Sequence, residues 1–213
     1  MRNNHCYPAE RNRRWLAAML IVAVAAVLGT GVPARAGSAP VPGPGGDLVS
    51  VAELKAQVFG ETSAEAVTWS YIQNVRTGLY LAVSGSSDAN GAPILQWEKR
   101  TGNQEQAWTF TETSYPAGYM AIRNAGTSSW KAMGISRSGL HDGAPAIQWD
   151  YRPGLEDQIW GFYGGTLGVY RLQNLNSGKC LAIPGSNPAR GVHAVQWECS
   201  SNLDQAWAVT SWP

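Results

Sequence analysis

A motif of about fifty residues occurs three times in this chain, and a repeat of that length restricts the fold more than any single residue does. Each copy opens with an asparagine, carries a Gln-Trp pair near its middle and closes with a Gln-x-Trp triplet. The asparagines are Asn74, Asn124 and Asn174, the pairs are Gln96-Trp97, Gln148-Trp149 and Gln196-Trp197, and the triplets end at Trp108, Trp160 and Trp207. Six of the ten tryptophans therefore follow the repeat.

From residue 68 onward, short apolar segments alternate with turns of Gly, Ser, Asn and Pro, which is typical of an all-β fold. Each repeat has room for four strands. One such unit cannot bury both of its faces alone, so three copies must share a core. A closed threefold arrangement also removes exposed sheet edges. We therefore predict a β-trefoil of three four-stranded repeats with pseudo-threefold symmetry over residues 68–213.

Residues 1–36 have the features of a secretory signal peptide. Four arginines precede an apolar run over 15–28, and Ala34-Arg35-Ala36 offers a small-x-small cleavage site. The run is shorter than the ~20 residues of a membrane span, although an uncleaved anchor is the alternative. We expect a secreted, extracellular protein without a membrane span after cleavage.

Residues 37–67 are predicted to form a flexible leader. Residues 37–47 are rich in Pro and Gly and are not expected to pack. A short helix with apolar Val51, Leu54 and Val58 could follow, but a helix of this length is marginal alone, so we expect weak docking or fraying. Deletion of the leader should then leave the melting temperature almost unchanged.

The charge of the secreted part restricts its classes of binding partner, and its cysteines predict a disulfide. The chain has 16 Lys+Arg and 15 Asp+Glu, of which five arginines and Glu10 lie in the signal peptide, so the secreted part carries a net charge of −3. That balance disfavours nucleic acid and anionic membranes. Cleavage also removes Cys6 and leaves Cys180 and Cys199, which should form a disulfide in a secreted protein.

The pattern N-x-x-S/T-G-x-C-L-x-[VI], followed by [LIV]-Q-W-x-C and Q-x-W, resembles the ricin-type β-trefoil lectin domain over roughly residues 70–213. The resemblance implies one shallow sugar site per repeat, up to three in all, with glycans as partners and without catalysis. We also expect a monomer that holds neither a cofactor nor a metal. It also implies the Cys180–Cys199 bridge within the third repeat. At these positions the first repeat has Tyr80 and Lys99, and the second is aligned with Trp130 and Tyr151 across a two-residue expansion.

The chain departs from this family at an acidic residue that binds sugar hydroxyls, where the alignment places Ala82, Ala132 and Ala182. Carboxylates recur instead just before each Gln-x-Trp triplet. These are Glu105, Asp157 and Asp204, which either compensate for the loss or are solvated turn residues.

Two interpretations of the Gln-Trp tryptophans remain open. Side chains alternate along a strand, so Trp97 shares a face with Leu95, which favours the core. The position in the family favours a surface that stacks on a sugar. Trp108, Trp160 and Trp207 are expected in the core, and the glutamines before them are expected to be structural hydrogen-bonding groups.

The candidate sugar-binding residues fall into three sets. The third lobe, ranked first because of its disulfide, has Gln196, Trp197, Asp204 and Gln205; the first lobe, ranked next, has Asn90, Gln96, Trp97, Glu105 and Gln106; the second lobe, ranked last, has Gln148, Trp149, Asp157 and Gln158. The second lobe ranks last because Ser128 replaces a turn glycine, while Trp130 and Lys131 crowd the position of the lost acid.

The predicted function is glycan binding by a secreted, non-catalytic protein; the alternative is a trefoil without sugar sites that acts as a protein-interaction or inhibitor scaffold. An enzyme is disfavoured. His141 and His193 are not equivalent in the repeat, and no nucleophile context surrounds them. Glu98, Asp150 and Glu198 should lie on different lobes, whereas a glycosidase needs two carboxyl groups within roughly 10 Å.

Overall fold

A computed structural model describes residues 45–60 and 67–213. The predicted signal peptide and residues 37–44 and 61–66 of the predicted leader lie outside the described residues. Within them the chain forms one α-helix and twelve β-strands. They are α1 (Val51–Phe59), β1 (Ser70–Asn74), β2 (Tyr80–Val83), β3 (Ile94–Trp97), β4 (Trp108–Glu112), β5 (Tyr119–Asn124), β6 (Ala132–Ile135), β7 (Ala146–Trp149), β8 (Ile159–Gly164), β9 (Val169–Asn174), β10 (Cys180–Ala182), β11 (Val195–Trp197) and β12 (Trp207–Ser211).

The first and fourth strands of the repeats close into a ring of six antiparallel strands, in the order β1, β4, β5, β8, β9 and β12. The second and third strands of each repeat form a hairpin that joins this ring. The all-β trefoil predicted from the repeat is confirmed, because three equivalent four-stranded units share one closed sheet.

The core holds the closing tryptophans of the three repeats. Trp108, Trp160 and Trp207 are fully buried, as predicted. Each indole Nε1 donates a hydrogen bond to a carbonyl of the second strand in its own repeat: Leu81 at 3.1 Å, Met133 at 3.0 Å and Leu181 at 2.9 Å. The polar atom of a buried indole is thereby satisfied, and the same bond ties the hairpin to the ring in every lobe.

Strand register corrects the alignment of the second repeat. Ala132 pairs with Trp149 as Cys180 pairs with Trp197 and Tyr80 with Trp97. The two extra residues therefore lie in the turn before β6 and not between the second and third strands. The counterpart of Cys180 is Ala132 instead of Trp130. In the same way, the counterpart of Ala82 and Ala182 is Gly134 instead of Ala132.

The predicted disulfide is present, with Cα atoms of Cys180 and Cys199 4.9 Å apart. The other two lobes hold the same pair of strands differently. In the first lobe the Lys99 ammonium lies 5.8 Å from the ring centroid of Tyr80 and 4.6 Å from that of Tyr71. In the second lobe the equivalent residues are Ala132 and Tyr151, and the Arg123 guanidinium lies 5.0 Å from the ring centroid of Tyr151.

The described part of the leader packs on the trefoil, contrary to the expectation of a flexible segment. The backbone N–H of Val49 donates a hydrogen bond to the carbonyl of Phe162 at 2.8 Å, and Leu48 forms an isolated antiparallel β-bridge with Tyr163. Leu54 is fully buried, in the same core cluster as Phe162. Helix α1 contacts β4 and β12. The leader thus contacts the fourth strand of every repeat.

Two features explain why this short helix does not fray. Ser50 and Glu53 form a reciprocal capping box, which satisfies free N–H groups at its first turn. Burial of Leu54 then supplies the tertiary stabilisation that a nine-residue helix lacks alone. The leader interpretation is therefore wrong for residues 47–58, and removal of this segment should destabilise the protein.

Candidate functional site

Each lobe has one open cleft at an equivalent place, between its hairpin and the 3₁₀ turn before its closing tryptophan. The first-lobe cleft has a volume of about 270 Å³ and is lined by Ala82, Ser86, Leu95, Trp97, Arg100 and Glu105, among others. The second has about 460 Å³ and includes Gly134, Arg137, Ile147, Trp149, Arg152 and Asp157. The third has about 600 Å³ and includes Ala182, Ser186, Trp197, Glu198, Asn202 and Asp204.

The tryptophans of the Gln-Trp pairs form one wall of these clefts. Trp149 is 37% exposed and Trp197 is 45% exposed, whereas Trp97 is partly buried. The core interpretation of these residues is therefore wrong. Alternation along the strand holds, but the face that carries Trp97 and Leu95 is the outer face, because Ile94 and Gln96 occupy the inner one.

The glutamines of these pairs lie in the interior and do not reach the clefts. Gln96, Gln148 and Gln196 are fully buried. Each side-chain amide donates two hydrogen bonds to the hairpin loop of another lobe, at the carbonyls of Asn187 and Ala189, of Ser87 and Ala89, and of Gly139 and His141. They join the three lobes, so their predicted role at a sugar site is not supported.

The loop of one lobe completes the cleft of another. A Cβ atom on Gly91 would lie 3.7 Å from the ring of Trp149, and Gly143 and Gly191 stand in the same relation to Trp197 and Trp97. Asn90 belongs to this loop, where it bonds Asp150 of the second lobe at 2.8 and 2.9 Å. It therefore belongs to the seam between two lobes, and its predicted place in the first-lobe site is wrong.

The recurring carboxylates line the clefts as well. Glu105 and Asp204 are partly buried, while Asp157 is 8% exposed. One buried carboxylate oxygen of Asp157 and one of Asp204 have no hydrogen-bond partner among the described residues. Burial raises the pKa of Asp157, against a smaller opposite effect from its hydrogen bond with Ser138. These atoms are acceptors that a bound hydroxyl group could satisfy.

The glutamines before the closing tryptophans are structural hydrogen-bonding groups, as expected, and they touch the edge of each cleft. Gln106 accepts from the backbone N–H of Arg100 and donates to the carbonyl of Glu98, both at 2.7 Å. Gln158 and Gln205 make the same pair of bonds in their lobes. They fix the loop that follows each exposed tryptophan.

The reasons for ranking the second lobe last do not hold. Trp130 does not enter its cleft; it packs edge-on against Trp69, with ring centroids 5.2 Å apart. Lys131 pairs with Asp150 instead of crowding the site. The lost acid corresponds to Gly134 there, which lines an open cleft as Ala82 and Ala182 do.

The three clefts differ in charge, and the arginines responsible were missed in the sequence. Arg100 and Arg152 follow the tryptophan of the Gln-Trp pair by three residues, where the third lobe has Ser200. The guanidinium of Arg100 lies 5.4 Å from the ring centroid of Trp97 and covers it. Arg137 adds a second cation in the second cleft. The constant offset from each tryptophan was the available signal.

The third cleft has carboxylates and no arginine in its lining: Asp204 and Glu198. Arg171 lies outside that lining, although its charge interacts with Asp204, and its guanidinium donates to the carbonyl of Asn202 at 2.9 Å. Burial lowers the pKa of Arg171 slightly against this attraction. The third cleft therefore offers acceptors for neutral hydroxyl groups.

Among residues 45–60 and 67–213, no group of three or more His, Cys, Asp or Glu side chains is arranged to hold a metal ion. In the same part of the chain, no helix has the length and apolar character needed to cross a membrane.

Comparison with known proteins identifies one family. The model of the ricin-type β-trefoil lectin domain matches residues 68–207. No curated protein sequence matches the chain. Among solved structures, the designed threefold-symmetric protein ThreeFoil has 25% identity and a TM-score of 0.62, covering 67% of this chain and 98% of that one.

Two natural proteins have the same fold. The exo-β-1,3-galactanase 1,3Gal43A from Clostridium thermocellum shares 25% identity with a TM-score of 0.63, covering 69% of this chain but only 31% of the galactanase. The C-half of an earthworm R-type lectin, solved in complex with GalNAc, shares 21% identity with a TM-score of 0.54, covering 68% of this chain and 98% of that one.

Proposed function

Since the chain belongs to the ricin-type β-trefoil lectin domain family, we propose that it is a secreted, monomeric glycan-binding protein that holds sugars in the clefts of its lobes without acting on them. The observation that carries the proposal is the recurrence, in three equivalent clefts, of a tryptophan beside a carboxylate. A sugar presents an apolar C–H face to an aromatic ring and hydroxyl groups to carboxylates. Shallow clefts bind weakly one at a time, and three of them raise the affinity for a multivalent glycan.

Secretion rests on the apolar run over 15–28 with its cleavage site and on the Cys180–Cys199 bridge, which persists in oxidising compartments. A binding role without catalysis rests on the clefts themselves. The first and second clefts each contain a single carboxylate, whereas a glycosidase uses two, and the third cleft contains Asp204 and Glu198. The chain covers only 31% of the galactanase, so the activity of that enzyme is not carried over to this chain.

The third lobe is proposed as the main site for neutral sugars. Its cleft is the widest, its tryptophan is the most exposed of the three, and one oxygen of Asp204 is buried without a partner in the described residues. The disulfide fixes the strand that carries Trp197, so less conformational entropy is lost on binding.

The test is a glycan array with the purified protein, followed by titration calorimetry of one neutral glycan that binds. Asp204→Ala should weaken that binding by roughly 1 to 3 kcal/mol, the range for a hydrogen bond to a charged group. Asp88→Ala is the matched control, because Asp88 is an exposed acid outside every cleft. Parental affinity in Asp204→Ala, with the fold intact, would contradict this assignment of the third site.

A second candidate is the protein-interaction scaffold, favoured by the small residues Ala82, Gly134 and Ala182 where related lectins carry an acid. An array without any saccharide bound, charged or neutral, would support that candidate.

A further inference from the structure

The second-lobe cleft differs from the other two in its backbone as well as its charge. The turn after the second strand is Ser84–Ser86 in the first lobe, Ser136–Ser138 in the second and Pro184–Ser186 in the third. Its middle residue has a positive φ in every lobe: Gly85 at 63°, Arg137 at 54° and Gly185 at 62°. A side chain is disfavoured in that conformation, and glycine adopts it freely.

Arg137 therefore occupies a position that glycine occupies in the other two lobes. A strained residue at the edge of a cleft supports a functional explanation when the surrounding structure holds it there. The side chain of Arg137 is exposed and makes no hydrogen bond or ion pair within the described part of the chain that would account for its presence.

Arg152 supplies a second cation on the same cleft. It is also exposed and forms no ion pair in the described structure. The carboxylates near it have other partners: Asp150 pairs with Lys131 and accepts from Asn90, and Glu156 accepts from the hydroxyl of Tyr115 at 3.4 Å. Hydrogen bonds from Asn90 and Lys131 are the main causes that lower the pKa of Asp150, and the charge of Arg152 adds a smaller effect in the same direction.

The tryptophan of this cleft is available for stacking. Trp149 is 37% exposed, and no arginine lies over its ring among the described cation–aromatic contacts, in contrast to Arg100 over Trp97. The remaining charge in the lining is the nearly buried Asp157, which two arginines outweigh. The third cleft, with Asp204 and Glu198, has the opposite sign.

We infer that the second-lobe cleft binds an acidic saccharide, with the sugar ring on Trp149 and its anionic group between Arg137 and Arg152. Guanidinium groups bind carboxylate and sulfate oxygens through two parallel hydrogen bonds, and a sugar ring distinguishes this ligand from a free anion. This inference rests on the proposed glycan-binding function and adds a charge class to one of its sites.

The experiment uses two pairs of saccharides with the same sugar rings and linkages, one member acidic and the other neutral: trigalacturonic acid with its full methyl ester, and a sulfated galactose trisaccharide with its desulfated form. Affinities are measured by titration at low and high salt, and indole Nε1–H signals are followed by NMR. At least one acidic member should bind about tenfold or more tightly than its neutral partner, with an advantage that falls at high salt. It should shift the Trp149 signal and not that of Trp197. The pair that shows the preference distinguishes a carboxylate from a sulfate.

Two variants make the assignment specific. Arg137→Gly should reduce the acidic affinity about tenfold while leaving stability to urea unchanged or higher, because it restores the residue of the other two lobes. Arg152→Gln should reduce it similarly. Arg76→Gln, an exposed arginine outside the clefts, removes the same charge and should leave the affinity unchanged.

Equal binding of charged and neutral members in both pairs would overturn the inference, as would full acidic affinity in the double variant Arg137→Gly/Arg152→Gln. If neutral glycans still bind in that case, the proposed function stands and the acidic preference alone fails. If no saccharide on the full glycan array binds either, the proposed function fails with it.

Discussion

The second and third lobes place Trp149 and Trp197 at the same register position and Asp157 and Asp204 at the same point of the following turn. Their surroundings differ. The third lobe is closed by a disulfide and lined by carboxylates, whereas the second lacks the bridge and is lined by two arginines.

The comparison shows which residues hold the trefoil and which vary on it. Buried groups with several backbone partners are the same in both lobes: Gln148 and Gln196 bond the adjacent hairpin loop, and Gln158 and Gln205 bond their own loop. Their loss would leave buried carbonyls and N–H groups unpaired, which is costly. Residues on the cleft rim do not form these buried hydrogen bonds, so their charge can differ between lobes without loss of the fold.

The largest expected effect concerns the bridge that only the third lobe has. The double variant Cys180→Ala/Cys199→Ala should lower the free energy of unfolding by roughly 3 kcal/mol, the entropic contribution for a closed loop of this length. Chemical denaturation should still show one transition, because the three lobes share one core. Separate unfolding of the third lobe would contradict a shared core.

The opposite experiment introduces a disulfide into the second lobe, which lacks one. Ala132→Cys/Tyr151→Cys places a cysteine pair at the equivalent positions of the second lobe. It should stabilise that lobe by less than the native bridge does, because it removes the contact between Arg123 and Tyr151. A stabilisation equal to that of the native bridge would mean that this contact contributes nothing.

An intermediate effect should separate the two tryptophans by ligand. Trp197→Ala should weaken binding of a neutral glycan by about 1 to 3 kcal/mol, the range for loss of an aromatic stacking surface. Trp149→Ala should leave that affinity nearly unchanged. Since both rings are more than a third exposed, the melting temperature should fall only slightly in either variant. If Trp197→Ala unfolded, Trp197 would instead have to be counted as a core residue.

The smallest effect is expected from the buried carboxyl of the second lobe. Folding raises the pKa of Asp157, chiefly through burial. The protonated Asp157 carboxyl therefore contributes its full stabilisation below the pKa of Asp157 in the unfolded chain, about 3.9. That contribution is lost as the pH rises through the higher pKa of Asp157 in the folded protein. Asp157→Asn should gain stability relative to the parent between pH 3 and pH 7.

Urea denaturation across that pH range provides the measurement, with Asp88→Asn as an exposed substitution of equal charge change. Parallel stability curves for Asp157→Asn and the parent would show that Asp157 is not destabilised by burial.

Much of the trefoil could be predicted from the sequence, because residues of the same type recur at equivalent positions of the three repeats. The three Gln-x-Trp triplets gave the buried tryptophans, and the lone cysteine pair gave the disulfide. The positions of the exposed tryptophans and of the carboxylates also came from the repeat and its family resemblance, and both line the clefts.

What the sequence did not predict depends on contacts between distant segments. Asn90 precedes Trp97 of its own repeat in the sequence, but its side chain bonds Asp150 of the next lobe. The helix of the leader looked marginal because its stabilisation comes from the strands around Leu54. The sequence alone also does not show that Arg137 lies in a turn with the positive φ that Gly85 and Gly185 have in the other lobes.

The sequence by itself determined the fold, the spacing of its three lobes and the residues that face inward at each closing triplet. The reason is that each repeat can bury its apolar residues only against the other two copies. The tertiary structure decided which face of each third strand is outward. Alternation separates Gln196 from Trp197 but does not say which is buried; the carbonyls of Gly139 and His141, brought over from another lobe, settle it by binding the amide and leaving the indole at the cleft.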